Sequence, residues 1–219
     1  MCPELDPEAE LYRATLELAR YLAAESHGRY FVSMPDISGN IDALAHLRGS
    51  ENILIDMLER PDWVHRQLAR VQDAWERTVE NVYQIVRGTN DEGSTIGWLN
   101  TWAPGRHAQM QCDISVMISP ESFVEFAVPE FERQGAWMDR SLYHFDGVDQ
   151  ERHLDALLAL PALDAIQFTC VAGQASPVTF LPLLKRIQAT GKSLVIPLYE
   201  GHTEQEVVTL LEELSSRGL

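Results

Sequence analysis

The stretch of sequence best suited to chemistry is residues 140–147, RSLYHFDG, in which an apolar and aromatic run ends in a histidine and an aspartate. If this stretch is a β-strand, its period of two places His144 and Asp146 on one face, and Tyr143 and Phe145 on the other. Imidazole nitrogen and carboxylate oxygen suit zinc and other divalent ions, and the same pair can serve as a general acid and base. The alternative is structural: a histidine bonded to a loop and an aspartate that caps the following helix.

Other polar residues fall at the ends of predicted strands, where α/β proteins keep their ligands. Gln111 and Asp113 share a face at one strand end, while Cys112 points away and is expected in the core. Each candidate also has a structural alternative, as a turn residue, a helix cap or part of the core. The further candidate pocket residues are Asp36, Trp98, Arg106, Gln167 and Glu200, with Arg106 as the cation for a substrate carboxylate.

The composition excludes several classes of protein. The chain has 219 residues, 45% of them hydrophobic and 23% charged, as expected of one sizeable globular domain spanning residues 1–219. The formal net charge of −16 and the lack of a basic stripe argue against nucleic acid and anionic membranes as partners. Three widely spaced cysteines and the lack of a leader or apolar span predict a cytoplasmic protein.

Helices and strands alternate along the predicted chain. Helices are predicted at residues 7–25 (with Asp6 as N-cap and Pro7 at the first position), in short pieces over 41–59 broken at 48–50, and at 62–87, 119–137, 150–160 and 177–189, with Thr203 and Glu206 forming a capping box for a last helix. Strands or extended segments are predicted at residues 29–34, 94–102, 107–113, 141–145, 165–170 and 193–198. This order predicts βαβ units and a mostly parallel sheet with too few strands for a closed eight-stranded barrel.

Several motifs together resemble the uroporphyrinogen decarboxylase-like superfamily. They are WLNTWAPGR at 98–106, QCD at 111–113, ISPESF at 118–123, YHFDG at 143–147 and LLALPALDAIQ at 157–167, followed by Gly173 and Gln174. The chain is most similar to a branch of corrinoid or trimethylamine-related methyltransferases. The resemblance implies a TIM-barrel-like (β/α) parallel sheet that lacks the N-terminal part of the barrel.

Two departures from the superfamily bear on function. The arginine-rich motif with which true uroporphyrinogen decarboxylases hold substrate carboxylates has no match in this chain. Zinc-dependent methyltransferases of the superfamily carry His-x-Cys-Gly where this chain has His144-Phe-Asp146-Gly, and a carboxylate in place of the thiolate makes a thiol-activating zinc site less suitable.

The leading hypothesis is therefore an enzyme that transfers a methyl group between a small molecule and a corrinoid-carrying partner protein. In this hypothesis His144 and Asp146 position a metal, zinc being one candidate, or a polarised water, and Asp113 joins them as a catalytic residue. The alternatives are a cofactor-independent decarboxylase and a non-catalytic binding or scaffold protein. An incomplete barrel would expose sheet edges, which predicts a homo-oligomer.

Overall fold

The computed structural model describes residues 4–170, 176–198 and 202–217. Within these ranges the helices are α1 (Glu10–Ser26), α2 (Asn40–Arg48), α3 (Ser50–Glu59), α4 (Pro61–Val86), α5 (Pro120–Phe126), α6 (Val128–Trp137), α7 (Leu154–Leu158), α8 (Leu181–Ala189) and α9 (Glu204–Glu213). The strands are β1 (Gly93–Ile96), β2 (Thr101–Pro104), β3 (His107–Met110), β4 (Arg140–Asp146), β5 (Ala165–Thr169) and β6 (Ser193–Val195). Short 3-10 helices occupy Gly97–Leu99, Asp113–Met117, Val148–His153 and Pro177–Phe180.

The central feature is a four-stranded parallel sheet with the strand order β3-β4-β5-β6. Helices connect its successive strands, as the predicted βαβ order requires. In the register of β4 with β5, His144 lies opposite Gln167 and Asp146 opposite Thr169. The strands β1 and β2 form a separate antiparallel hairpin. The chain is thus a mixed α/β protein, as predicted.

The two faces of the sheet have different surroundings. The face that carries Tyr143, Phe145 and Phe168 is fully buried in the main apolar core, which also takes in α4. The buried residues of α4 recur every three or four positions and include Val64, Leu68, Val71, Trp75, Val79 and Val82. On the other face, a small cluster joins Leu142 of β4 to Ile96 and Leu99 from the hairpin region. The hairpin region therefore covers this face around Leu142, and polar residues occupy the face at the carboxyl ends of the strands.

Several predicted helix ends are confirmed. The Ser119 side chain accepts a hydrogen bond from the N–H of Ser122 at the start of α5, and Thr203 with Glu206 forms the full capping box of α9. Gly49, with φ 89°, separates α2 from α3 at the predicted break. No helix in the described ranges is long and apolar enough to cross a membrane.

The predicted strand at residues 29–34 is wrong. This segment has no regular structure, and the Asn90 side chain occupies the bonding groups of Val32: the Val32 N–H donates to Oδ1 at 2.9 Å, and Nδ2 donates to the Val32 carbonyl at 2.8 Å. A single backbone bond, from Met34 to Thr95, ties the segment to β1. Asp36 therefore lies in a loop and does not follow a strand.

Other predicted boundaries also differ. Helix α1 begins at Glu10, since Asp6 accepts the N–H of Glu8 in a turn that precedes the helix. The helix predicted at 119–137 is divided at Ala127, where Pro129 lacks the N–H that would continue the ladder. The remaining differences concern the lengths of elements. A 3-10 turn interrupts the extended segment predicted at 94–102, and the strand predicted at 107–113 ends at residue 110. The helix predicted at 150–160 begins as a 3-10 helix, and the strand predicted at 193–198 has only three residues.

The aromatic layer behind the sheet leads to a prediction about stability. Phe168 is fully buried, with its ring centroid 5.9 Å from that of Phe145 and 5.4 Å from that of Phe180. Replacing it with alanine removes these contacts and leaves a cavity, so we expect Phe168→Ala to lower the free energy of unfolding by about 3–5 kcal/mol in urea denaturation. Val124→Ala, at an exposed position of α5, is the control and should change it by less than about 0.5 kcal/mol. Equal effects of the two substitutions would contradict this account of the core.

Candidate functional site

The candidate site lies at the carboxyl ends of β3, β4 and β5. In a parallel sheet these ends share one edge, so residues distant in sequence meet there. Asp146 ends β4, Thr169 ends β5, and the chain after β3 continues through Gln111 and Cys112 into the 3-10 helix that begins at Asp113.

Three side chains converge at this edge: Asp113, His144 and Asp146. Each offers one ligand atom, and the three atoms all lie within 4.8 Å of one another. His144 Nε2 is 3.8 Å from Asp146 Oδ1, as expected for residues two apart on one face of a strand. The predicted convergence of His144 with Asp146 is confirmed, and Asp113 joins them as a third donor.

The imidazole of His144 is held on two sides. Its Nδ1 is hydrogen-bonded to Gln167 Oε1, and Gln167 Nε2 in turn donates to Thr169 Oγ1. The indole ring of Trp98 meets the imidazole edge-on, with the ring centroids 4.9 Å apart. With Nδ1 bonded to the amide of Gln167, Nε2 is the imidazole nitrogen that faces Asp146. Only 8% of His144 is exposed, so its orientation is fixed by these neighbours.

The pKa of the Asp113 carboxyl group is higher than usual. Burial raises the pKa of its carboxyl to about 6, the nearby Asp42 contributes in the same direction, and His144 opposes the shift. Asp146 and Asp36 add smaller contributions that also raise this pKa. Asp113 thus lies near three other carboxyl groups and one imidazole, an arrangement that favours a proton or a cation.

Asp42 is a buried member of this cluster that the sequence did not reveal. It lies on α2, and its carboxylate accepts the backbone N–H groups of Asp113 at 2.8 Å and Ile114 at 3.0 Å. Burial raises the pKa of Asp42, although these two hydrogen bonds oppose the shift. The one sequence signal was an aspartate inside the apolar run Ile41 to Ala45, where a charge needs a partner.

Two further predicted residues are near this cluster. Gln111 Nε2 donates to Asp113 Oδ2 at 3.3 Å, and Asp36 Oδ1 accepts from Gln109 Nε2 at 2.8 Å. A cavity of about 220 Å³ adjoins Asp113. Its lining, within the described part of the chain, contains no Lys or Arg and consists of Asp42, Ala45, His46, Ser50, Gln111, Asp113, Ile114 and Met117.

Arg106 is not brought to the site. It immediately precedes β3 and therefore lies at the amino edge of the sheet, opposite the cluster. Its guanidinium binds Glu80 at 2.9 Å and lies over the rings of Trp137 and Tyr83. The expectation that Arg106 meets a substrate carboxylate at this edge is corrected accordingly.

The remaining candidates lie either in the core or outside the described residues. Cys112 is fully buried, as predicted, and burial raises the pKa of its thiol well above the usual value, so it is not a thiolate ligand. Tyr143 lies in the core on the opposite face. Glu200 falls outside the described residues.

Comparison of the chain with protein-family models and with curated proteins gave no match. The residues of the site are therefore the basis for inferring its chemistry.

The raised pKa of Asp113 predicts a pH-dependent effect on stability. Because its folded pKa of about 6 exceeds the ordinary value of 3.8, ionisation of this carboxyl weakens the fold as the pH rises through 6. In metal-free buffer we expect Asp113→Asn to raise the melting temperature at pH 7.5 by about 2–4 °C, or roughly 1 kcal/mol after solvent screening. At pH 4 the gain should largely disappear. A difference that is the same at both pH values in thermal denaturation would contradict the assignment.

Proposed function

We propose that this protein is an enzyme that binds a divalent metal ion through Asp113, His144 and Asp146 and acts on a small molecule there. The observation that carries the proposal is the approach of one imidazole nitrogen and two carboxylate oxygens to within 4.8 Å of one another. This edge of a parallel sheet is also where α/β enzymes bind their substrates.

The donor set determines which ions fit. One nitrogen and two oxygens suit zinc, manganese or iron(II), with positions left open for water or substrate. A thiolate-rich zinc site does not fit, because Cys112 is buried in the core and its thiol pKa is raised. A bound ion would supply a Lewis acid able to polarise a substrate oxygen or lower the pKa of a water molecule.

The residues themselves supply orientation and proton transfer. Gln167 fixes His144 so that Nε2 points towards the carboxylates, as the partner of a ligating histidine does in metal sites. In the absence of an ion, Asp113 is able to hold or release a proton near neutral pH. Trp98 offers a partly exposed aromatic surface beside the imidazole.

The resemblance in sequence motifs supports a particular reaction. It favours methyl transfer linked to a corrinoid-carrying protein, and a TIM-barrel-like fold to which the parallel sheet would belong. Decarboxylation of the uroporphyrinogen type is the alternative reaction. The position of Arg106 at the opposite edge argues against a substrate with many carboxylates, and an assay of uroporphyrinogen turnover separates the two reactions.

A second candidate function, scaffolding through pairing with another copy of the chain, is favoured by the edge at β6. This strand bonds to β5 on one side, and no other strand in the described ranges pairs with it. Beside it lies a cavity of about 320 Å³ whose lining is mostly apolar: Leu194, Val195, Ile196, Leu198, Val207, Leu210 and Leu211, with Asn100 and Thr101. Pairing there would cover both the edge and the apolar surface.

A cytoplasmic location and the lack of nucleic-acid partners remain part of the proposal.

Metal titration tests the leading proposal. We expect the wild-type protein to bind one Mn²⁺ or Zn²⁺ per chain in isothermal titration calorimetry, and His144→Ala or Asp146→Asn to weaken binding by at least tenfold. Each substitution removes one of three donors. His65→Ala is the matched control, since His65 lies on the surface of α4 beside Glu125 and should leave the affinity unchanged. Equal binding by wild type and His144→Ala would contradict the proposed site.

Light scattering tests the second candidate. We expect a dimer or larger species, and we expect Leu211→Lys to shift it towards the monomer by placing a charge on the apolar surface beside β6. Leu211 is 62% exposed, and Leu58→Lys on α3, where the leucine is 82% exposed, is the matched control. A wild-type protein that stays monomeric at all concentrations would count against self-pairing.

A further inference from the structure

Asp42 is a buried helix residue whose carboxylate binds the backbone of a distant segment. Only 6% of it is exposed, and its two carboxylate oxygens are divided between two backbone donors: Oδ2 accepts the N–H of Asp113, and Oδ1 that of Ile114. These N–H groups belong to the first two residues of a 3-10 helix, which have no acceptor within the helix itself. Asp42 therefore caps this helix from a segment 71 residues away in sequence.

Helix α2 also holds the chain just before Asp113. The Asn40 side chain is fully buried and donates to the Gln111 carbonyl at 2.6 Å. The turn from Gln111 to Ile114 is thus bound to α2 at three points, two through Asp42 and one through Asn40. On the other side of this turn, Gln150 Nε2 donates to the Cys112 carbonyl at 3.2 Å. The backbone that carries Asp113 is consequently fixed between α2 and the segment after β4.

A carboxylate is a costly choice for this cap. Asn, Ser or Thr caps helix ends without a charge, whereas the buried Asp42 brings a second carboxyl group close to Asp113. What a carboxylate offers over the neutral caps is two equivalent acceptor oxygens, which allows one side chain to bind two adjacent N–H groups at once. That geometry restrains both the position and the direction of the peptide at Asp113.

We propose that Asp42 is a positioning residue that holds the Asp113 backbone so that its carboxylate faces His144 and Asp146. The three donor atoms that converge belong to Asp113, His144 and Asp146, whereas both Asp42 oxygens accept backbone N–H groups, so Asp42 acts through Asp113. This inference rests on the proposed metal site and adds a residue to its support. It also makes the docking of α2 a condition for completing the donor set.

A double-mutant cycle with Mn²⁺ titration tests the inference. Asp42→Asn keeps the size of the side chain but leaves one acceptor oxygen for two N–H groups, and we expect it to weaken Mn²⁺ binding by about 10–100-fold. Asp113→Asn should also weaken binding. If Asp42 acts through Asp113, the double variant should bind no more weakly than Asp113→Asn alone, because the group being positioned is already lost.

The cycle distinguishes positioning from a general effect of charge. A long-range attraction between Asp42 and the ion would persist in the Asp113→Asn background, so the effects of the two substitutions would multiply, and that result overturns the inference. Glu130→Gln controls for the loss of a carboxyl group elsewhere. Glu130 lies on α6, burial raises the pKa of its carboxyl to about 7, and its replacement should leave Mn²⁺ affinity unchanged.

The remaining outcomes separate this inference from the proposed function. Wild-type affinity in Asp42→Asn overturns the positioning role while the metal site stands. If the wild-type protein binds no Mn²⁺ or Zn²⁺ at Asp113, His144 and Asp146, the metal site and the positioning role both fail. Should Asp42→Asn not fold, Asp42→Ser provides a second cycle, because it keeps one acceptor and removes the charge. The same lack of additivity with Asp113→Asn is expected.

Discussion

The pairing of β4 with β5 is the constraint on which the candidate site depends. In this register His144 lies beside Gln167 and Asp146 beside Thr169, so the imidazole, the amide that orients it and the second carboxylate are fixed relative to one another. Strand alternation does the rest, because the same register directs Tyr143 and Phe145 into the core. A slip of one residue would exchange the two sets, and the apolar packing behind the sheet opposes it.

The polar face is divided along the strands. Near the start of β4, Leu142 packs with Ile96 and Leu99, and this apolar cluster covers the sheet at that point. Towards the carboxyl end, carboxylates from three separate segments approach one imidazole, and the lining of the adjoining cavity contains no Lys or Arg as far as it is described. Such crowding raises the free energy of the folded protein, and a divalent ion would offset that cost more effectively than a proton on Asp113.

The sequence predicted the features that depend on local rules. Strand alternation placed His144 with Asp146, the residue types predicted a helix start at residue 119 and the capping box at Thr203, and the alternation of helices with strands predicted a parallel sheet. The pattern of apolar residues at 29–34 predicted a strand before Asp36, but this segment has no regular structure. An apolar run satisfies a strand pattern equally well when a side-chain amide, here that of Asn90, replaces the neighbouring strand.

The features that the sequence could not predict depend on tertiary contacts. Asp42 reaches Asp113 across 71 residues, and nothing in the local pattern of α2 states which turn it will meet. Arg106 is a different case: the strand start at residue 107 was predicted correctly, and a residue immediately before a parallel strand lies at the amino edge of the sheet, so the sequence held the information that places Arg106 away from the site.

Anomalous diffraction from crystals soaked in Mn²⁺ tests the proposed metal site. We expect one strong anomalous peak per chain within about 2.0–2.3 Å of Asp113 and Asp146 oxygens and of His144 Nε2, distances typical of such ligands. A peak at another position, or no peak at this edge of the sheet in crystals that hold Mn²⁺ elsewhere, would contradict it.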